Sequence, residues 1–249
     1  MVIPKTLEEI EIVREGGQRL ARIKDELRQM VCPSVTPIEI ERRAECLILE
    51  AGGQPSFKMV RGYRWATCIN INEGVVHGIP GKVPFKEGDI VTVDVGIFYK
   101  GFHSDSAFTL VVGQPSKERQ SFLGAGKEAL RRSIKEAKQG NRIADISRTI
   151  QEVLEKRGYS PVYELTGHGI GRQLHEDPQI PCFLEGDPCR SPLIPEGAVL
   201  AIEVIYTQGS PRLVLSDDGW TISTKDGKIG AVFEETVAVV HGQPQILTA

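Results

Sequence analysis

Four acidic residues occupy positions where a carboxylate is costly. Asp94 lies in Lys86-Glu87-Gly88-Asp89-Ile90-Val91-Thr92-Val93-Asp94-Val95, and residues 90–95 are β-branched, apolar and short, the pattern of a buried strand. Asp105 leads a second such run, Ser106-Ala107-Phe108-Thr109-Leu110-Val111-Val112, after a turn at Tyr99-Lys100-Gly101. The pattern recurs. Pro195-Glu196-Gly197-Ala198-Val199-Leu200-Ala201-Ile202-Glu203-Val204 repeats the first stretch and sets Glu203 over Asp94. Glu234-Glu235-Thr236-Val237-Ala238-Val239-Val240-His241-Gly242 repeats the second and sets Glu234 over Asp105. A lone ionised carboxylate in such a strand is forced neutral or needs a cation. Two hairpins bearing two acids each therefore point to a duplicated site. Its charge of about −4 suits a pair of divalent cations.

Histidine adds a nitrogen donor. Of five histidines, His77, His168 and His175 lie in glycine-flanked loops beside these strands, and His-Gly-Ile occurs at both His77 and His168. Glycines around His168 let the backbone approach a ligand closely. Neutral imidazole among carboxylates suits Mn²⁺, Fe²⁺, Co²⁺ or Zn²⁺ over Ca²⁺. His103 and His241 receive no role.

Helices must carry these strands. Thr6-Leu7-Glu8-Glu9 is a capping box, and Ile10, Val13, Leu20, Ile23, Leu27 and Met30 continue it at helical spacing to about Met30. Gly16-Gly17 either weakens that helix or marks a close packing contact. Thr36-Pro37-Ile38-Glu39 opens a second helix that ends at Gly52-Gly53. Residues 54–83 read as irregular and strand-like. In the second half the spacing predicts helices over 114–139 and 143–157, a strand at 162–165, and a loop from Pro178 to Pro195. The second hairpin is the longer: Glu203 to Glu234 spans 31 positions, against 11 for Asp94 to Asp105, and the surplus carries Trp220. Each half reads helix, helix, strands. The expectation is a single α+β catalytic domain over 1–249, with internal halves at about 1–113 and 114–249.

The bulk numbers exclude several classes. The chain has 249 residues, a formal net charge of −3, and 30 basic against 33 acidic residues, which leaves no electrostatic footprint for DNA or an anionic membrane. No apolar run approaches spanning length, and the start is not a signal peptide. Five scattered cysteines without a Cys-x-x-Cys pair favour reduced thiols and a cytoplasmic setting. Arg131, Arg132 and Lys135 read as a solvated helix face, with a ribosomal contact as the alternative.

Asp94, Asp105, His168 in Thr166-Gly167-His168-Gly169-Ile170-Gly171, Glu203 and Glu234 form a series that resembles the five metal ligands of the type I methionine aminopeptidases. The resemblance covers essentially the whole chain. It includes Pro55-Ser56-Phe57, Val76-His77-Gly78-Ile79-Pro80, Gly101-Phe102-His103, His175-Glu176 and Asp218-Gly219-Trp220. It implies the pita-bread fold, with two pseudo-twofold-related halves and helices covering a curved antiparallel sheet. It also implies a metallo-exopeptidase, a hydrolase that excises the initiator methionine from nascent peptides with a small second residue. The cofactor would be two divalent ions: Co, Mn, Fe, Zn or Ni. Carried over by position, Asp105 and Glu234 would bridge the metals, Asp94 would complete one shell, and His168 and Glu203 the other. Glu203 would relay a proton, His175 would bind the scissile carbonyl and its oxyanion, and His77 would meet the scissile amide nitrogen. Phe57, Tyr63, Cys68, Leu174 and Trp220 would form the methionine pocket.

The chain departs from the family pattern at Lys58-Met59-Val60-Arg61-Gly62-Tyr63-Arg64-Trp65-Ala66, at Leu174 where an aromatic is common, and at Glu235 where His often follows the last ligand. These positions touch pocket shape and ligand surroundings, not the ligands. The expected partners are nascent chain ends and transiently the ribosome, with the protein a monomer. The alternatives are an Xaa-Pro dipeptidase-like enzyme, which usually carries a further N-terminal domain, and a metal-free binding protein on the same fold, which would have lost ligands.

Overall fold

The structure, a computed structural model, describes residues 2–249. Helices α1 (Leu7–Met30) and α2 (Pro37–Glu50) open the chain. Strands β1 (Gln54–Pro55), β2 (Thr67–Ile71), β3 (Gly74–Val76), β4 (Ile90–Tyr99) and β5 (Phe102–Val111) complete the first half. The second half begins with α3 (Lys117–Ile134) and α4 (Ile143–Lys156). Then come β6 (Ser160–Pro161), β7 (Thr166–Gly169), β8 (Glu176–Pro181) and β9 (Val199–Thr207). Strands β10 (Leu213–Leu215), β11 (Ile222–Thr224), β12 (Gly230–Val240) and β13 (Gln243–Ile246) close it.

The caps act as their chemistry dictates. Thr6 Oγ1 accepts the Glu9 N–H and Glu9 Oε2 accepts the Thr6 N–H, so two orphan donors at the start of α1 are satisfied. Gly16-Gly17 proves to be a packing contact: a Cβ on Gly17 would come within 2.3 Å of the Leu247 carbonyl oxygen. Gly17→Ala should therefore lower stability by about 2 kcal/mol, even after the gain in helix propensity. That corresponds to a melting temperature lower by ~4–8 °C. An unchanged melting temperature would show that the backbone does not need this close approach.

A continuous antiparallel sheet runs β1-β4-β5-β12-β9-β7-β8, with β2 on β4, β6 on β9 and β13 on β12. β4 turns into β5 through Lys100 (φ 47°) and Gly101 (φ 90°), the left-handed pair that a two-residue hairpin requires. The halves meet where β5 pairs β12, at Glu234 opposite Ala107. The helices cover one face only. Lys24 of α1 reaches Ser106 and Glu235, and the Tyr206 hydroxyl on β9 donates to the Phe122 carbonyl of α3. Alternation sends the side chains of Asp105, Glu203 and Glu234 to the opposite face.

Three expectations need correction. Helix α3 is shorter than 114–139. Ser116 caps it by accepting the Arg119 N–H, and past Ile134 the chain winds into tight turns, with Ala137 N–H donating to the Ile134 carbonyl. Residues 162–165 are not a strand. Pairing falls on either side of them, while Tyr163 turns outward against Phe183, ring centroids 4.7 Å apart. The stretch from Pro178 to Pro195 begins as the edge strand β8, where a missing N–H costs no ladder bond. The surplus in the second hairpin is ordered: β10 and β11 join β3 in a small separate sheet.

Candidate metal centre

The four carboxylates stand on adjacent central strands. Asp94 on β4 is opposite Ala107, and Asp105 on β5 is opposite Gly96. Glu234 on β12 is opposite Glu203 on β9. The two hairpins are thus offset by two residues: the repeat equates Ala107 with Thr236, yet Glu203 faces Glu234. An even slip keeps every side chain on its face, so the duplication survives it. His168, on β7 opposite Ala201 of β9, completes the group. Ligating atoms of Asp105, His168 and Glu234 all lie within 4.8 Å of one another. His168 Nε2 is 4.0 Å from Glu203 Oε1.

Burial and crowding set the protonation state of each group. His168 Nδ1–H donates to the Gly169 carbonyl at 2.9 Å, which leaves the Nε2 lone pair facing the carboxylates. Burial, with the nearby His175, pushes the His168 imidazole down to about 4, so it is neutral. The carboxyls move the other way. Burial and then its carboxylate neighbours hold Asp94 and Glu234 well above the ordinary range. Burial pushes Glu203 up to about 8, helped by Asp105. Asp105 is raised to about 7 by burial, tempered by hydrogen bonds from Asp94 and from the Ser106 N–H.

Among the described residues no Lys or Arg pairs with any of the four. Asp94 Oδ1 and Glu234 Oε1 are buried with no hydrogen-bond partner. Orphaned oxygens, crowded carboxyls and one free imidazole nitrogen fit divalent metal and fit little else.

This crowding sets a pH dependence for the metal-free protein. The raised carboxyls bind more protons folded than unfolded between about 4.5 and their folded values, so stability falls as pH rises through that window. His77, His103, His168 and His175 are lowered by burial and oppose the trend only up to about 6.5. Between pH 6.5 and 8 the carboxyls act alone, each worth up to about 1.4 kcal/mol per pH unit. In a chelator the melting temperature should drop across that interval by at least ~3–6 °C, the share of Glu203 alone. Excess Mn²⁺ should abolish the drop. A flat or rising curve in chelator would mean that the four acids are not crowded.

A cavity of about 140 Å³ opens above these groups. All five expected ligands line it, together with His77, His175, Phe57, Tyr63, Cys68, Leu174 and Trp220. Tyr63 and Trp220 meet edge to face, centroids 5.0 Å apart, and the Tyr63 hydroxyl donates to the Thr67 carbonyl. Burial keeps His77 and His175 neutral at pH 7. His77 takes a left-handed backbone (φ 57°), which is strained for a non-glycine residue. The His175 ring lies edge-on to His168, centroids 4.6 Å apart. Two wall residues escaped the sequence reading, Val60 and Val76. Val60 sits in the segment that departs from the family pattern, and Val76 is the neighbour of His77. His103 lies elsewhere, hydrogen-bonded to Ser56 and packed on Phe98.

Comparison with known proteins agrees with this geometry. The sequence signature of metallopeptidase family M24 matches residues 11–241. The chain is 43% identical to a methionine aminopeptidase of Clostridium perfringens, over 100% of this chain and 99% of that one. It is 41% identical to methionine aminopeptidase 1 of Bacillus subtilis, with the same coverage. The crystal structure of a Thermotoga maritima methionine aminopeptidase superposes with a TM-score of 0.96 at 39% identity, covering 100% and 99% of the two chains. A prolidase from Pyrococcus furiosus shares the fold, with a TM-score of 0.80 at 24% identity, but this chain covers only 65% of it.

Proposed function

The chain belongs to the methionine aminopeptidases of metallopeptidase family M24, with their pita-bread fold and metal-dependent removal of N-terminal methionine, and from this premise we propose how its residues divide the work. Asp94, Asp105, His168, Glu203 and Glu234 would hold two divalent ions. The orphaned oxygens of Asp94 and Glu234 support this assignment most directly. Such ions, of Mn, Fe, Co, Zn or Ni, would supply a water of lowered pKa and Lewis-acid chemistry at the scissile carbonyl.

The remaining steps belong to side chains. The substrate's first side chain fills the wall made by Phe57, Tyr63, Cys68, Leu174 and Trp220, with Val60 and Val76 completing it. His175 donates a hydrogen bond to the carbonyl oxygen of that residue, and the bond strengthens as negative charge develops there. Glu203, whose carboxylate a bound cation would keep ionised, takes a proton from the attacking water at one oxygen and returns it to the departing amine. His77, neutral and fixed in its strained backbone, meets the scissile nitrogen.

Purified protein with Mn²⁺ or Co²⁺ is expected to release Met from Met-Ala-Ser and to leave Ala-Ala-Ser intact, as measured by amino-acid analysis. Cleavage confined to peptides with proline in second position would favour the dipeptidase reading. The substrates are nascent chain ends with a small second residue. We place the activity in the cytoplasm, which suits five unpaired cysteines. It works there as a monomer and one catalytic unit joined at β5 and β12. Exposed Arg131, Arg132 and Lys135 on and just after α3 offer a transient ribosome contact. No helix among the described residues is long and apolar enough to cross a membrane.

A further inference from the structure

His175 and Leu174 ride on residues 170–175, a connection between β7 and β8 with no helix or strand of its own. The hydrogen-bond donor that His175 presents is useful only if its position is held to about half an ångström. The connection is tied at its start, where Ile170 N–H donates to the Val199 carbonyl, and on its exposed side, where Arg172 donates to Glu9 Oε1 at 2.7 Å and lies over the Phe102 ring, but these ties precede Gln173, Leu174 and His175. Gly171 N–H donates to the Gln173 carbonyl at 3.1 Å, and His103 N–H donates to the Gly171 carbonyl at 2.7 Å. The next anchor is Glu176, whose Oε1 accepts the Gln173 N–H at 3.0 Å. Its Oε2 lies 2.5 Å from Lys5 Nζ, in an ion pair whose side chains are only 5% and 8% exposed.

Lys5 comes from the opposite end of the chain, on the extended segment before α1. That segment is anchored in turn: the Lys5 N–H donates to the Gly197 carbonyl at 2.8 Å, and Nζ also donates to the Ile3 carbonyl. The fit is close, since a Cβ on Gly171 would fall 2.3 Å from Lys5 Cε. A buried ion pair is a poor source of net stability, because desolvation offsets its attraction. What it does supply is one geometry, and here that geometry belongs to the residue next to His175.

We propose that Lys5 is a positioning residue for the peptidase reaction: through Glu176 it fixes the loop that presents His175 to the substrate carbonyl. The proposal rests on the role given to His175 above. A double-mutant cycle tests it, with kcat and KM measured on Met-Ala-Ser, bound Mn²⁺ by elemental analysis, and melting temperature. Lys5→Met should lower kcat ~10–100-fold with bound metal unchanged and KM changed by less than ~3-fold. In a His175→Ala background the same change should cost less than ~2-fold, because the group being positioned is gone. Glu176→Gln keeps an acceptor for Gln173 N–H while removing the charge. It should reproduce the loss of kcat even where Lys5→Met fails to fold. Equal losses in both backgrounds, or full kcat in either single variant, would overturn the proposal while leaving the role of His175 intact. Full activity of His175→Ala alone would remove that role, and the positioning proposal with it.

Discussion

Asp105→Asn is expected to reduce methionine release by ~10³-fold or more, while making the metal-free protein more stable at pH 8. Both effects have one cause. Asp105 sits at the centre of the cluster, its ligating oxygen within 4.8 Å of those of His168 and Glu234, and it is 4% exposed. Asparagine retains an oxygen that can accept the Ser106 N–H, so local geometry is preserved. It carries no charge, so it binds cations poorly. In the absence of metal that missing charge is an advantage. At pH 8 Asp105, with a folded value of about 7, is mostly ionised among buried acids. Removing it should add on the order of 2 kcal/mol, or ~4–8 °C in melting temperature. The pair of readouts is diagnostic. Lost activity with lowered apo stability would indicate simple disruption of the sheet, and would count against a metal cage in which function is maintained at the expense of stability.

His175→Ala should lower kcat by ~10²–10³-fold and kcat/KM by nearly the same factor, with bound metal unchanged. His175 lies in the cavity wall beside His168 but is absent from the cluster of converging ligand atoms. Its imidazole is neutral, because burial depresses its pKa, and so it can donate one hydrogen bond without adding positive charge to the cavity. A contribution confined to the developing oxyanion appears in kcat and not in ground-state affinity. Elemental analysis and steady-state kinetics on the same preparation decide the matter. A rise in KM alone would make His175 a binding contact, and loss of metal would make it a ligand.

Much of the site could be read from residue order because its chemistry violates the ordinary rules of strands. An acid in a β-branched run stands out, and a second copy of the same violation stands out more. The caps of α1 and α2 were equally legible, since Thr6 with Glu9 and Thr36 with Glu39 are local devices. What escaped depends on tertiary partners. The two-residue offset between the hairpins leaves no local mark, because either register buries the same faces. Strand β8 was hidden by its prolines, which are acceptable only because it has a free edge. Val60 and Val76 are unremarkable apolar residues until the chain folds them against the cavity. Lys5 and Lys24 look like surface lysines, but each is buried on a distant glutamate, Glu176 and Glu235 respectively. The acid that stands where the family often has His is therefore answered by a cation from α1.

The unequal lengths of the two hairpins carry a consequence for polarity. A frame with twofold pseudo-symmetry has no intrinsic means of telling one end of a peptide from the other. The additional residues after β9 build β10 and β11 and set Trp220 against Tyr63, so a side chain from each half meets as a plug in the cavity wall. That plug breaks the twofold equivalence and leaves a guest two unlike ends of the cavity to meet. Substitutions in the plug should retune which residue is accepted without disturbing the four carboxyls and His168 beneath, since none of them resides there.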